Sequence, residues 1–586
     1  MTPASVLRAA VRPGAYHDSV MLMRLQAALA GLPGVLDAGV VMATPANREL
    51  LAAGGLLTEG VAAGPDDLLI VVRAADEATA ADALARVDPL LAERRAGSGA
   101  AGFRPRSVAS ALKLLPAARW VLVSVAGRHA AAVAREALDL GRNVFLYSDN
   151  VPLAEEVALK ETARERGLLV LGPDCGTAIV GGVGLGFANR VRRGGIGLVG
   201  ASGTGLQMVA SHVHDLGGGI SQAVGTGGRD LQAEVGGTTA AQALDLLRRD
   251  PETAVIVLLG KPPAPEVTVR LLALLRSTGK PSVVHLLGAP LPGRRQGDVH
   301  FAAGLAEAAE LAVALAADAA DAADVADTVR PHPAIAEPGP LRLAPGQRYL
   351  RGLFSGGTLA AEALLGLQAG LGPLWSNVSI PSLPAIQRLP DPLASRAHTV
   401  LDLGDDTFTV GRLHPMIDHD LRRRRLRQEA ADPEVAVLLL DVVLGEGAHP
   451  DPAGELAPAI AQARAEASAV GRDLAVLAVV VGTEEDPQNL PLQVERLAAA
   501  GARVFRTVDA AVVAAVALLG EPGRLDGPPV PLEAVRPPLA AVNVGLESFF
   551  ESLVTQGAQA VQVDWRPPAG GNEKLAGILA RMKKSG

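Results

Sequence analysis

Apolar residues in this chain cluster in short runs, each followed by a helix-length stretch in which they recur every three or four positions. Runs at Trp120–Val125, Asn143–Tyr147 and Leu168–Leu171 are each about one helix apart. That spacing predicts parallel βαβ units. A second block carries runs at Ile196–Val199, Ile220–Val224, Ala254–Leu259 and Ser282–Leu287. A third has them at Tyr349–Phe354, Thr399–Leu403, Val435–Val443, Leu474–Val481 and Ala502–Arg506. Ahead of all three, Val35–Val41 and Leu68–Val72 read as strands, and Met21–Ala30 and Ala75–Leu91 as helices. The Ala/Asp-rich stretch Val313–Ala326 reads as a helix.

Between the blocks the chain turns to glycine, proline and polar residues at Ala96–Arg106, Pro331–Pro345 and Gly520–Pro538, which marks linkers. The domains expected are 1–100, a small α+β unit, then 104–192, 193–330 and 346–519, and a C-terminal tail 538–586. A length of 586 residues fits several cores rather than one.

The second and third blocks echo each other. Ile196-Gly-Leu-Val-Gly-Ala-Ser-Gly-Thr204 returns as Leu350-Arg-Gly-Leu-Phe-Ser-Gly-Gly-Thr358, and Asp250-Pro-Glu-Thr-Ala-Val-Ile-Val-Leu-Leu259 as Asp432-Pro-Glu-Val-Ala-Val-Leu-Leu-Leu440. Two matches in the same order indicate an internal repeat.

A net charge of −8 argues against nucleic acid as partner, because that interface wants a basic face. The run Arg422–Arg425 with Arg427 reads as a solvated helix face. A single cysteine, Cys175, excludes an internal disulfide framework and cysteine-based zinc sites; it reads as a buried small residue. With no secretory leader and no apolar run near the ~20 residues of a membrane span, the cytoplasm is the expected compartment and no membrane partner is expected.

Three segments could carry chemistry. Ser202-Gly203-Thr204-Gly205 opens a helix directly after a strand, where unpaired N–H groups and the helix dipole favour an anion. Plain N-capping by Ser202 is the competing reading. Gly445-Glu446-Gly447-Ala448 follows the long strand 435–443, at the strand end where open α/β sheets bind ligands; a simple strand–helix turn is the alternative. The third, Arg412-Leu-His414, offers a forked cation for carboxylate or phosphate and an imidazole near neutral pH; a surface loop competes. His212, His214 and His285 read as packing residues. No Gly-x-x-x-x-Gly-Lys-Ser/Thr loop is present, Gly182-Val-Gly184-Leu-Gly186 lacks the dinucleotide spacing, and no metal-ligand spacing stands out, so no metal is expected.

Taken together, GPDC (172–175), GGIGLVGASGTG (194–205), VGTGGRD (224–230), DPETAVIVLLG (250–260) and GKPSVVHLLG (279–288) resemble the α-subunit of succinyl-CoA synthetase. SGGTLAAEA (355–363), LDLGDD (401–406) and DPEVAVLLLDVVLGEG (432–447) resemble the C-terminal domain of its β-subunit. The fusion, with TPANRELL (44–51) and the tail AVNVGLESFFESL (541–553) and VDWRPP (563–568), resembles the FdrA family. The fold this implies is α/β and multi-domain: a Rossmann-like CoA-binding-type domain, two flavodoxin-like synthetase domains and a small N-terminal domain.

The resemblance also implies a phosphate held between two helix starts, by Ser202, Gly203, Thr204 and Gly205 on one side and Gly445, Glu446, Gly447 and Ala448 on the other. It departs at PGRRQGDVHFAAG (292–304), where His300 is displaced from the position of the synthetase's phosphorylated histidine, and at Lys261, which stands where that family has a glutamate. The ATP-grasp region has no counterpart, and no glycine loop for CoA is recognisable before Trp120. Catalytic candidates are His300, His414 and Arg412. Members resembling FdrA are associated with allantoin breakdown and oxamate carbamoyltransferase. That implies carbamoyl phosphate or another acyl phosphate plus a carboxylate as ligands, with partner subunits. Alternatives are an ADP-forming acyl-CoA synthetase using CoA and a separate nucleotide-binding chain, or a non-catalytic scaffold; a homo-oligomer is left open.

Overall fold

The aliphatic runs form central strands because a strand covered on both faces needs a side chain suited to burial at every position. In the computed structural model the described residues are 5–91, 105–289, 293–317, 343–519, 531–565 and 582, apart from gaps at 16–18, 44–46, 49–50, 53–54, 58–59, 66, 381–382, 384, 410–412 and 535. Arg412 and the end of the expected helix Val313–Ala326 therefore fall outside the described residues.

Residues 1–520 form one compact unit. It begins with a three-stranded antiparallel sheet in the order Val6–Arg12, Leu68–Ala74, Val35–Met42, backed by helices Ser19–Ala30 and Glu77–Ala85. A parallel sheet follows in the order Trp120–Val123, Asn143–Leu146, Val170–Leu171, with helices Gly127–Asp139 and Leu153–Glu165. The hairpin Thr177–Val180 and Val183–Gly186 leaves that sheet and pairs antiparallel with Ile220–Gly225 of the next.

That next sheet, the first lobe, has eight strands. Its parallel centre runs Val299–Phe301, Ser282–Leu286, Val255–Gly260, Arg193–Gly200, Ile220–Gly225. The second lobe is a seven-stranded parallel sheet ordered Ile386–Arg388, Leu374–Ser376, His398–Asp402, Tyr349–Phe354, Val435–Val443, Ala475–Val481, Ala502–Phe505. The echoed segments lie side by side in both lobes: Arg193–Gly200 pairs with Val255–Gly260 as Tyr349–Phe354 pairs with Val435–Val443.

One apolar core joins the lobes. Leu206, Val209 and Val213 on helix Gly203–Asp215 belong to the same buried cluster as Leu359, Ala363 and Leu367 on helix Gly357–Leu371. Each fully buried leucine or valine there contributes about 1.5–3 kcal/mol. Helices Leu305–Ala316 and Val508–Leu519 extend this core. Both sheets thus bring strand carboxyl ends to one seam, the end of an open α/β sheet where ligands bind.

Residues 521–586 form a second unit, in which parallel strands Ala540–Val544 and Gln559–Val563 flank helix Glu547–Thr555. Among the described residues no helix is long and apolar enough to cross a membrane.

Candidate functional site

Strand Arg193–Gly200 ends in the extended Ser202 (φ −162°, ψ 107°), whose Oγ accepts the Gly205 N–H at 3.0 Å and starts helix Gly203–Asp215. The capping reading is therefore correct, and it leaves the first-turn N–H groups of Gly203 and Thr204 without intrahelical acceptors. In the second lobe, strand Tyr349–Phe354 passes through Ser355 and the extended Gly356 into helix Gly357–Leu371, which has no side-chain cap. The two helix starts meet: Ser202 Oγ lies 2.6 Å from Thr358 Oγ1. A Cβ on Gly356 would stand 2.7 Å from Thr204 Oγ1. Thr177, 2% exposed, has a hydroxyl with no hydrogen-bond partner among the described residues, 3.4 Å from where a Cβ on Gly203 would sit.

The second turn is held from below. Fully buried Asp441 accepts the Ser355 N–H at 2.9 and 3.1 Å and its hydroxyl at 2.8 Å, and pairs with buried Arg422 at 2.9 Å. Burial raises the Asp441 carboxyl above its usual range, and Arg422 opposes that rise.

Titratable groups ring the junction. Lys261 follows strand Val255–Gly260, and its Nζ lies 3.4 Å from the position of a Cβ on Gly357. Asp402 ends strand His398–Asp402; its Oδ1 accepts the Gly404 N–H at 2.9 Å, and its Oδ2 faces Gly357, 2.6 Å from the same Cβ position. Burial pushes the Asp402 carboxyl up to about 7 against the pull of Lys261. His414 packs its ring on Phe187 with centroids 5.2 Å apart, and its Nδ1 accepts the Met416 N–H at 3.3 Å. Burial, then the Arg422 charge, hold its pKa down at about 4, so it is a neutral imidazole at pH 7. Protein packed around Asp174, together with Asp149 and Asp406, pushes its carboxyl up to about 6, with Lys261 and Arg229 opposing.

The Gly445–Ala448 turn adjoins helix Gly203–Asp215, since Gln207 on that helix donates to the Leu444 carbonyl at 3.4 Å, whereas His300 lies apart. The Gly445–Ala448 turn clasps the first lobe: the Glu446 N–H donates to the Ala188 carbonyl at 2.8 Å, the Gly445 N–H to Gln488 Oε1 at 3.1 Å, and Arg190 Nε meets the Glu446 carboxylate at 2.5 Å. Gly447 abuts the Gly186 carbonyl. The amides of Gly445 and Glu446 thus already have protein acceptors. His300 is buried in strand Val299–Phe301, three strands from Arg193–Gly200 or roughly 14 Å at the usual spacing. Burial and Arg295 hold its pKa down. The solvated reading of the arginine run fails for two of its members: Arg422 and Arg425 are buried, the latter paired with Glu429 at 2.6 Å. Cys175 is buried as expected, and burial pushes its thiol up to about 12.

Sequence reasoning quoted Thr358, Asp402 and Lys261 without placing them in the site. The repeat held the signal for Thr358, since Ser-Gly-Thr recurs as Ser-Gly-Gly-Thr at the facing helix.

Three family profiles match the chain: "AllF, heavy metal-associated domain" over residues 4–105, "CoA binding domain" over 191–287 and "CoA-ligase" over 353–518. YahF of Escherichia coli strain K12 is 44% identical over 494 residues, covering 84% of this chain and 94% of that one. Succinate–CoA ligase [ADP-forming] subunit alpha 2 of Archaeoglobus fulgidus is 30% identical, over 30% of this chain and 61% of that protein's length. Among solved structures, an acetyl-coenzyme A synthetase 1 of Ca. Korarchaeum cryptofilum in complex with phosphate and ADP aligns over 68% of this chain and 82% of its own, at 16% identity and TM-score 0.28.

Two groups named by these profiles can be tested against the residues. Residues 4–105 contain no cysteine, so a thiolate metal site does not fit the first domain. For CoA, the matching profile covers residues 191–287, which lie outside the Rossmann-type unit that holds helix Gly127–Asp139. At that helix start a Cβ on Gly127 would collide with the Asp149 carbonyl, so glycine lets the two backbones approach closely.

Proposed function

This chain belongs to the family of E. coli YahF, in which an AllF-type domain precedes CoA-binding and CoA-ligase domains of the succinyl-CoA synthetase type, and from that premise we propose that it is an acyl-transferring subunit. It binds the phosphate end of an acyl phosphate at the junction of its lobes. The observation that carries this reading is the meeting of two helix starts at Ser202 and Thr358, beside the ammonium of Lys261 and the Thr177 hydroxyl, which has no hydrogen-bond partner among the described residues. First-turn amides and one cation bind an oxyanion and stabilise the charge that grows on it as the acyl–oxygen bond breaks. Asp402 beside Gly357 and a neutral His414 across Gly404 are groups able to exchange protons.

The finer reading is carbamoyl transfer between carbamoyl phosphate and oxamate, as the FdrA resemblance implies, with the AllF-type profile consistent with it. Oxalurate plus phosphate would give oxamate plus carbamoyl phosphate: phosphate oxygen attacks the carbamoyl carbon, the C–N bond to oxamate breaks, and that nitrogen takes up a proton. Partner subunits belong to this proposal. A second reading is an acid–CoA ligase working with a nucleotide-binding chain; the CoA-binding profile over 191–287 and the CoA-ligase profile over 353–518 favour it.

Purified protein, with and without the products of neighbouring genes, separates the two in a phosphate-dependent oxalurate cleavage assay run beside a CoA- and ATP-dependent ligation assay. Cleavage that disappears in Ser202→Ala supports carbamoyl transfer. Ligation without cleavage overturns it.

A further inference from the structure

Resting on the oxyanion reading, we propose that Asp402 makes anion binding at this junction proton-linked: a bound anion holds the proton on the carboxyl, so binding takes up a proton wherever the carboxyl is otherwise ionised. The geometry leaves little choice. Asp402 Oδ2 faces the first residue of helix Gly357–Leu371, at the place where a Cβ on Gly357 would be 2.6 Å away. The carboxylate thus lies beside the helix start without capping it, and the helix has no side-chain cap. Two anions a few ångströms apart at one helix start cannot both stay ionised cheaply, so the bound anion drives a proton onto the carboxyl. The protonated group then becomes a hydrogen-bond donor on the side facing the ligand.

Neighbours on every packed element agree with this. From the first lobe, Lys261 supplies the positive charge that keeps the ionised form accessible in the empty site. Within its own loop Asp405 opposes ionisation. From strand Val435–Val443, Asp441 does the same, though Arg422 neutralises much of it. Across Gly404, His414 is neutral and adds no charge. With the carboxyl raised to about 7 by burial, the proton lies within reach at physiological pH.

The test uses sulfate, which keeps both charges across the neutral range, whereas phosphate titrates there itself. Isothermal titration of the full chain is compared with Asp402→Asn at several pH values. In the wild type the sulfate Kd rises by about 30-fold between about pH 6 and about pH 8.5, as a single proton on a group of pKa about 7 requires. At about pH 8.5 binding takes up close to one proton, read from the heat in buffers of different ionisation enthalpy. Asp402→Asn binds with a flat profile and no proton uptake. Because the uptake is measured on the wild type, it stands even if the variant folds poorly. Wild-type sulfate binding without pH dependence or proton uptake overturns the linkage while leaving the oxyanion site intact, as does an Asp402→Asn slope equal to the wild type. Absence of sulfate binding at every pH overturns the oxyanion reading, and this inference with it.

Discussion

Replacing Gly356 by alanine perturbs the place where the helix starts touch. Gly356 has extended backbone (φ −149°, ψ 129°), so alanine meets no conformational penalty and any effect comes from the new methyl. That methyl overlaps Thr204 Cγ2 and would stand 2.7 Å from Thr204 Oγ1 and 3.0 Å from its Cβ. To restore van der Waals distance the helix starts must part by roughly 1 Å, and the close packing around them resists this. Overpacking of this kind costs about 1–3 kcal/mol. Loss of the Ser202–Thr358 hydrogen bond, 2.6 Å in the native chain, adds about 1 kcal/mol. Guanidinium unfolding followed by circular dichroism is expected to show that loss in the transition containing the two lobes. Adding Thr204→Ala, which removes the two atoms in the way, is expected to restore at least half of it. A neutral Gly356→Ala, or a double variant no better than the single, would refute the contact.

Two further predictions concern buried charge. Asp441→Ala leaves Arg422 buried without its carboxylate partner and is expected to cost about 3–5 kcal/mol by the same unfolding measurement, with Asp441→Asn costing less because it keeps an acceptor for Ser355. The Glu362 carboxyl, which accepts the Leu305 N–H at 2.8 Å, is raised by burial and by Asp509. The folded chain therefore holds this proton more tightly than the unfolded chain, whose carboxyl titrates near ~4.3. The contribution is fully present below that pH and is lost as pH rises toward the folded value, with a slope up to ~1.4 kcal/mol per pH unit. Glu362→Gln is expected to flatten that slope; an unchanged slope counts against it.

The sheets were legible because fully buried parallel strands such as Val435–Val443 and Ala475–Val481 read as unbroken apolar runs. Val6–Arg12 was missed, since its Leu-Arg-Ala-Ala-Val-Arg pattern is half-exposed and mixed. Also missed was the hairpin Thr177–Gly186, whose glycines suit a turn more than a strand. The C-terminal βαβ unit is short and open on one face, so its strands alternate without a strong apolar signal. In the site, Ser202 and Thr204 were readable as a helix start after a strand. Lys261 and Asp402 were not, because their importance arises only when a seam between distant segments brings both against Gly357. At the Gly445 turn, glycines at a strand end suit a ligand or a neighbouring backbone equally, and one backbone neighbour there is Ala188, whose carbonyl accepts the Glu446 N–H.

Anomalous diffraction from crystals soaked in selenate locates a phosphate-like anion without ambiguity. The account predicts a selenium peak at the junction, within hydrogen-bond reach of the Gly203 or Thr204 amide and of the first-turn amides of helix Gly357–Leu371, with Lys261 turned toward it. A peak only at the Gly445–Ala448 turn, or strong selenate sites everywhere but the junction, would contradict it.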